Sequence, residues 1–294
     1  MHRIFLFVLP ILIVLACHAP VKVKPVQQAP LTTIDYITVG KMMDSIQPPH
    51  VIDLRNGNKR LVFIGCDHNR DSTHPQFKTI EHYFNDLQPE LAFNEGGQIP
   101  DSVHFNTAGI AAMKDGETGY LKYMCDKAGI HMMNGDLSDS LEFTLTLPRY
   151  AHDQLLLYYL MERLVIPYLY GAYGKVPFEE LYNKAIQKWF VKSGFPLTED
   201  QQSINYFKQL YKQYTGHSFE LKINQDIELF DYINGGDCRF CAIGRTSKMV
   251  RDSMLLCKID ESLNTYNRVF VTFGHGHALA VEPALKQIIN KHRE

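Results

Sequence analysis

Two stretches of this chain share one grammar: an apolar run, a glycine, two residues, then a histidine. They are Gly65-Cys66-Asp67-His68 after "KRLVFIG" and Gly274-His275-Gly276-His277 after "RVFVTFG". A third apolar run, "ELAFNE", leads into Asn94-Glu95-Gly96-Gly97. The glycine of each histidine motif lets the backbone turn sharply and aims the histidine back over a sheet edge. Two neutral imidazoles and a carboxylate converging on a crevice make a divalent-metal site with open positions. They serve equally as a general base and its orienting groups with no metal, His68 then being oriented by Asp67 or Glu95. Taken singly, each residue has a plainer reading: a histidine after a strand is commonly a loop residue or a helix cap. The coincidence at three strand ends is what points to chemistry.

The elements that must position these groups follow from periodicity. Short apolar runs at Lys59 to Gly65, Glu90 to Glu95, Ile130 to Gly135 and Arg268 to Phe273 read as buried strands. Helices are expected over Pro75 to Leu87, Gly116 to Gly129, Arg245 to Leu263 and Pro283 to Lys291. Between the third strand and the last lies a helical section over about 150–235, rich in aromatics such as Tyr158, Tyr159, Trp189 and Tyr211. Those rings read first as the core of a helical subdomain and otherwise as a cap walling a substrate pocket. The expected fold is α/β: a parallel or mixed central sheet flanked by helices, with the helical insertion forming a cap. In such sheets the ligand crevice lies at the carboxyl ends of the strands, where the histidines and Glu95 stand.

With "GETGYLKYMCDKAGI" (Gly116 to Ile130) and "MVRDSMLLCKI" (Met249 to Ile259), these motifs resemble the TraB/TIKI superfamily. That group includes GumN-like, PrgY, erythromycin esterase-like and haem-binding ChaN-like proteins. The resemblance covers roughly Leu61 to Gly135 and Arg245 to Leu285, and not the helical middle. It implies a hydrolase-like site. In the TIKI branch, described as metal-dependent proteases, the metal set carried over here is His68, Glu95 and His277, for an ion of the Mn, Co or Zn type. In the erythromycin esterase-like branch a histidine base works without metal. Arg251, on the matching helix, would neutralise an anionic intermediate or a substrate carboxylate, or else pair with an Asp on a solvated face. His275 is an extra histidine that shares the oxyanion role. The ChaN-like relatives suggest a second class, a haem-binding lipoprotein with a His or Tyr iron ligand. Glu117 reads as a dipole-compatible acid at a helix start. His74 and His104 read as surface loop histidines.

The N-terminus reads as an address. "MHRIFLFVLPILIVLAC" has a cation, an apolar core too short to span a membrane, and Val14-Leu15-Ala16-Cys17, which looks like a lipobox. Residues 1–16 are expected to be a lipoprotein signal peptide, with Cys17 carrying the lipid. Residues 17–33 are expected to be a Pro-rich tether, and 34–294 the globular domain. The chain would then sit on a membrane of the bacterial cell envelope and act on a small-molecule or peptide substrate. A formal net charge of -2 gives no electrostatic case for nucleic acid. Cys238 and Cys241 read first as two free thiols on a turn, with a tight disulfide as the alternative.

Overall fold

The computed structural model describes residues 30–236 and 238–292. The leader, Cys17 and most of the tether lie outside the described residues. At the tether's far end the Thr32 backbone N–H donates to Gln287 and that of Ile34 donates to the Ala280 carbonyl, so this stretch is already packed on the domain.

Among the described residues the sheet has five strands in the order β1-β2-β5-β3-β4. These are β1 (His50–Asn56), β2 (Lys59–Cys66), β3 (Leu91–Asn94), β4 (His131–Asn134) and β5 (Arg268–Gly274). β2, β5, β3 and β4 run parallel, and β1 pairs antiparallel with β2 at one edge. The expected α/β class holds, with a mixed sheet. The last strand occupies its centre, so Cys66 pairs with Gly274 and Asn94 with Thr272. That register brings the three polar strand ends side by side.

β2, β3 and β5 are buried on both faces, which is why they read as continuous apolar runs. Leu61, Phe63, Val269, Val271 and Phe273 point to one face. There they meet α9 (Cys241–Ser262) and α10 (His275–Lys291). Val62, Ile64, Ala92 and Phe270 point to the other face. Those meet α2 (Pro75–Leu87) and α3 (Ala108–Ala128). Burying each of these side chains stabilises the fold by about 1.5–3 kcal/mol.

Two elements precede the first expected strand. They are β1 and the helix α1 (Tyr36–Met43), which packs on α10 through Tyr36, Val39, Leu279 and Ala280. After α4 (Asp139–Thr146), the insertion holds α5 (His152–Leu160), α6 (Ile166–Leu169), α7 (Phe178–Ala185) and α8 (Ile204–Thr215). A π-helical turn, Met161–Val165, joins α5 to α6, and α7 continues as a second one over Ile186–Val191. Most of its aromatics form a core of their own, with Tyr158, Tyr159, Phe190, Phe207 and Tyr211 buried together. Trp189 is the ring that turns outward to line a cleft over the strand ends. The reading of these rings as a subdomain core thus holds for most of them.

Two expectations change. Cys238 and Cys241 are joined in a disulfide, with Cα atoms 5.3 Å apart. The turn into α9 folds Cys238 back until the Cys241 N–H points at its sulfur, 3.2 Å away. The last helix begins at His275, not Pro283, and carries Pro283 inside it. His275 and His277 therefore both sit in the first turn of a helix.

Candidate active site

Each motif histidine is held by its own buried carboxylate. The His68 Nδ1 lies 2.6 Å from Glu117 Oε1. The His277 Nδ1 lies 2.5 Å from Asp252 Oδ1 and 2.9 Å from the Tyr36 hydroxyl, which donates to Asp252 Oδ2 at 2.7 Å. A carboxylate on Nδ1 fixes the ring and its tautomer and leaves Nε2 for chemistry. Both Nε2 atoms turn toward Glu95, that of His68 at 3.9 Å and that of His277 at 3.7 Å. The His277 Nε2 is buried and has no hydrogen-bond partner, whereas the His68 side chain is 64% exposed. The three residues read from the strand ends do come together.

Local sequence explains how. Gln76, buried on α2, brackets the Asp67 backbone, accepting from its N–H at 3.0 Å and donating to its carbonyl at 2.8 Å. This fixes the exit of β2 and so aims His68. The Asp67 side chain does not orient His68; Glu117 does. Glu117 reaches that position because α3 breaks at Asp115 and Gly116, where Gly116 has φ of +57°. A Cβ there would also stand 3.2 Å from the Asn69 carbonyl oxygen. Glu117 does open the second half of the helix, as expected, but its carboxylate is part of the site.

The glycines of the two motifs serve a purpose other than turning. Neither has positive φ; Gly274 has φ of -57°. They are there for space. A Cβ on Gly65 would meet the Ala278 Cβ at 2.6 Å, where β2 packs against α10. A Cβ on Gly274 would stand 3.0 Å from Glu95 Oε2 and 3.2 Å from His68 Nε2, inside the site itself.

Arg251 is not on a solvated face. Its Nε and Nη2 donate to the two oxygens of Asp136 at 2.7 Å each, and Nη2 also donates to Glu95 Oε1 at 2.6 Å. The Gly274 N–H donates to the other Glu95 oxygen. Arg251 is therefore a positioning residue for Glu95. Burial alone would raise the Glu95 carboxyl. Arg251, then His277, His68 and Lys248, outweigh it and hold Glu95 well below the usual carboxylate range. For His68 the Glu117 hydrogen bond is the largest influence and the nearby Glu95 charge adds to it. Against the opposing cost of burial they push the imidazole up to about 9. At neutral pH it is an imidazolium.

His275 does other work than expected. Its Nε2 lies 2.7 Å from the Ile46 carbonyl oxygen, to which it must donate. Burial lowers its pKa, so the ring is neutral and its Nδ1 carries no proton to give an oxyanion. It clips the loop after α1 to the start of α10. His74 caps α2, with its Nδ1 accepting from the Gln76 N–H, and His104 is exposed beside Asp126.

The metal expectation fails on the donor set. An ion on Glu95 would have to share that carboxylate with Arg251 and the Gly274 N–H, beside a fixed guanidinium charge. Among the described residues no group of three or more His, Cys, Asp or Glu side chains is arranged to hold an ion. His68, Glu95 and His277 do converge, with Glu95 already held by Arg251 and the Gly274 N–H.

The site opens into two cavities. One of about 330 Å³ is lined by His68, Glu95, His277, Lys248, Tyr232 and His275. The other, of about 620 Å³, shares His68 and Glu95 and is walled by Arg70, Lys188 and Trp189, the last two from the insertion. No protein-family model, curated protein or solved structure matches this chain.

Sequence reasoning overlooked Tyr36, Asp252 and Lys248. The last two had a signal. The buried stripe of α9 runs Lys248, Asp252, Leu255, Leu256, Ile259, so both charges stand in register with apolar core positions. A charge in that register is either paired or functional. Tyr36 had none, lying next to the stretch read as tether.

Proposed function

We propose that this chain is a metal-free hydrolase of esters or related acyl compounds, of the erythromycin esterase-like type within the TraB/TIKI superfamily. The observation that carries it is the pair of carboxylate-backed imidazoles turned toward one cavity across Glu95. In this reading His277 is the general base. Its Nε2 takes a proton from water as the water oxygen bonds to the substrate carbonyl carbon, and the carbonyl π pair moves to oxygen. Asp252, held by Tyr36, stabilises the imidazolium that forms. Collapse of the intermediate breaks the bond to the leaving oxygen, which takes its proton from the His68 imidazolium. Return of the His277 proton to His68 resets the pair. Glu95 stays ionised between them and favours whichever ring is charged. The lipid anchor on Cys17, and with it attachment to the cell envelope, belongs to the same proposal and rests on the lipobox alone.

The test is hydrolysis of a panel of p-nitrophenyl esters and lactones by the full chain, beside His277→Ala and His68→Ala. The expected result is a loss of at least about 10²-fold in kcat for each variant. Hydrolysis that survives both replacements would sink the assignment.

The haem reading has less behind it. The aromatic section that was to grip a planar ligand is mostly spent on its own core.

A further inference from the structure

In the hydrolytic reading the cavity calls for a cation at the carbonyl oxygen, and of the two groups expected there Arg251 does not line this cavity while His275 is held by a backbone carbonyl. Arg251 holds Asp136 and Glu95, and His275 holds the Ile46 carbonyl. Lys248 stands one helical turn before Arg251 and lines the same cavity as His68, Glu95 and His277. It is only 9% exposed. A buried ammonium needs partners. One is Glu162, whose Oε1 accepts at 3.1 Å, and the Tyr232 ring lies 5.0 Å from Nζ. An ammonium has three N–H donors, so two remain for a ligand in the cavity.

Glu162 comes from the π-helical turn Met161–Val165 of the insertion. Its neighbour Arg163 is tied to Asp139 at 2.7 Å and to Glu142 at 2.5 Å, and Glu142 accepts from Ser247 on α9 at 2.5 Å. The widened turn is thus fixed at both consecutive charges, and one of them faces the catalytic cation. Such turns are frequent at functional sites.

We infer that Lys248 is a further catalytic residue, the one that stabilises the oxyanion, and that Glu162 is its positioning residue. The insertion therefore completes the active site as well as walling it. This rests on the hydrolytic reading above. It also makes the site a receptor for a tetrahedral anion whether or not an ester turns over.

Both properties are measured on the full chain. The probes are p-nitrophenyl acetate for turnover and methylphosphonate, a tetrahedral anion, for binding by calorimetry. Lys248→Met leaves Glu162 buried without a partner, so the Lys248→Met/Glu162→Gln double variant is the folded control. The expected result is a 10²- to 10³-fold fall in kcat with KM within about threefold, and at least a tenfold loss of methylphosphonate affinity. Lys248→Arg should restore part of kcat. Glu162→Gln alone should lower kcat by about tenfold without abolishing anion binding. A folded double variant that keeps kcat and anion affinity within about twofold of the native chain overturns the inference while leaving the hydrolase standing. Anion binding that depends on Lys248 in a chain without esterase activity sinks the hydrolytic reading and keeps the cation site. Absence of both overturns both.

Discussion

Replacing Glu117 by Gln removes one charge and almost no volume, and it acts on the site only through His68. The native pair is a 2.6 Å contact between a buried carboxylate and a ring that is 64% exposed. A hydrogen bond to a charged group is worth about 1.5–3 kcal/mol. Solvent screening at so exposed a ring roughly halves that. The remaining ~0.8–1.5 kcal/mol corresponds to at most about one pH unit. His68 titrates at about 9 in the native chain. In Glu117→Gln it should titrate near 8, with Glu95 still holding it above an ordinary histidine. In the proposed mechanism the imidazolium is the proton donor, so activity should be lost as pH rises through this value. The basic limb of kcat/KM should therefore move down by about one unit, with the acidic limb in place. Stability has the same sign. The folded pKa lies above the unfolded one, so the pair stabilises the fold fully below pH ~6.5 and stops doing so as pH passes about 9. The variant's thermal deficit should shrink over that interval. An NMR titration of the His68 ring reads the shift without any substrate. A ring that still titrates near its native value, or a basic limb that does not move, would refute the assignment of Glu117 as its orienting partner.

Gly274→Ala should leave the fold intact, since its φ is ordinary, while the methyl fills the space between Glu95 and His68. A melting temperature within a few degrees of native, with kcat/KM down by at least about 10²-fold, is the expected pair of readings. Asp252→Asn should cost about 10²- to 10⁴-fold in kcat, because the amide no longer fixes the Nδ1–H tautomer of His277. Tyr36→Phe keeps that carboxylate and should cost far less, about tenfold, through the lost hydroxyl contacts to Asp252 and His277 Nδ1. Protein prepared and assayed in chelator should turn over at the native rate, and restoration of lost activity by Mn, Co or Zn would return the site to the metal reading.

The parts of the fold legible in the sequence are those with one dominant physical cause. β2 and β5 were readable to within a residue because both faces are buried and, past the charged residues at their starts, nearly every position is apolar. α2 ran as expected over Pro75–Leu87, with proline at its first turn and Gln88 left-handed after its last. β1 escaped because "HVIDLRN" is half exposed, an edge strand with weak alternation. The start of α10 escaped because Pro283 resembles a first-turn proline, and because Gly-His-Gly-His looks like a loop. At the site, His68, Glu95 and His277 were visible as strand-end residues. Their partners were not, because Glu117, Asp252 and Tyr36 reach them from three separate helices. A strand end is a local fact, whereas the carboxylate behind each ring is a tertiary one.

The strand order gives that distinction a consequence for how the site comes into being. β2 and β3 do not touch; β5 lies between them and pairs with both. The first histidine motif and Glu95 therefore have no fixed relation until the last strand enters. The Gly274 N–H that Glu95 accepts from, the Asp252 that holds His277, the Lys248 of the cavity and the Arg251 that holds Glu95 all come from α9 or the end of β5. The two halves of the catalytic set are thus separated by the whole insertion in sequence and joined by one strand in space. Insertion of a central parallel strand cannot occur piecemeal, because a half-filled gap leaves unpaired backbone on both neighbours. Closing the sheet and assembling the site are one event, so a chain lacking residues beyond 264 should have neither a closed sheet nor the proton-handling pair.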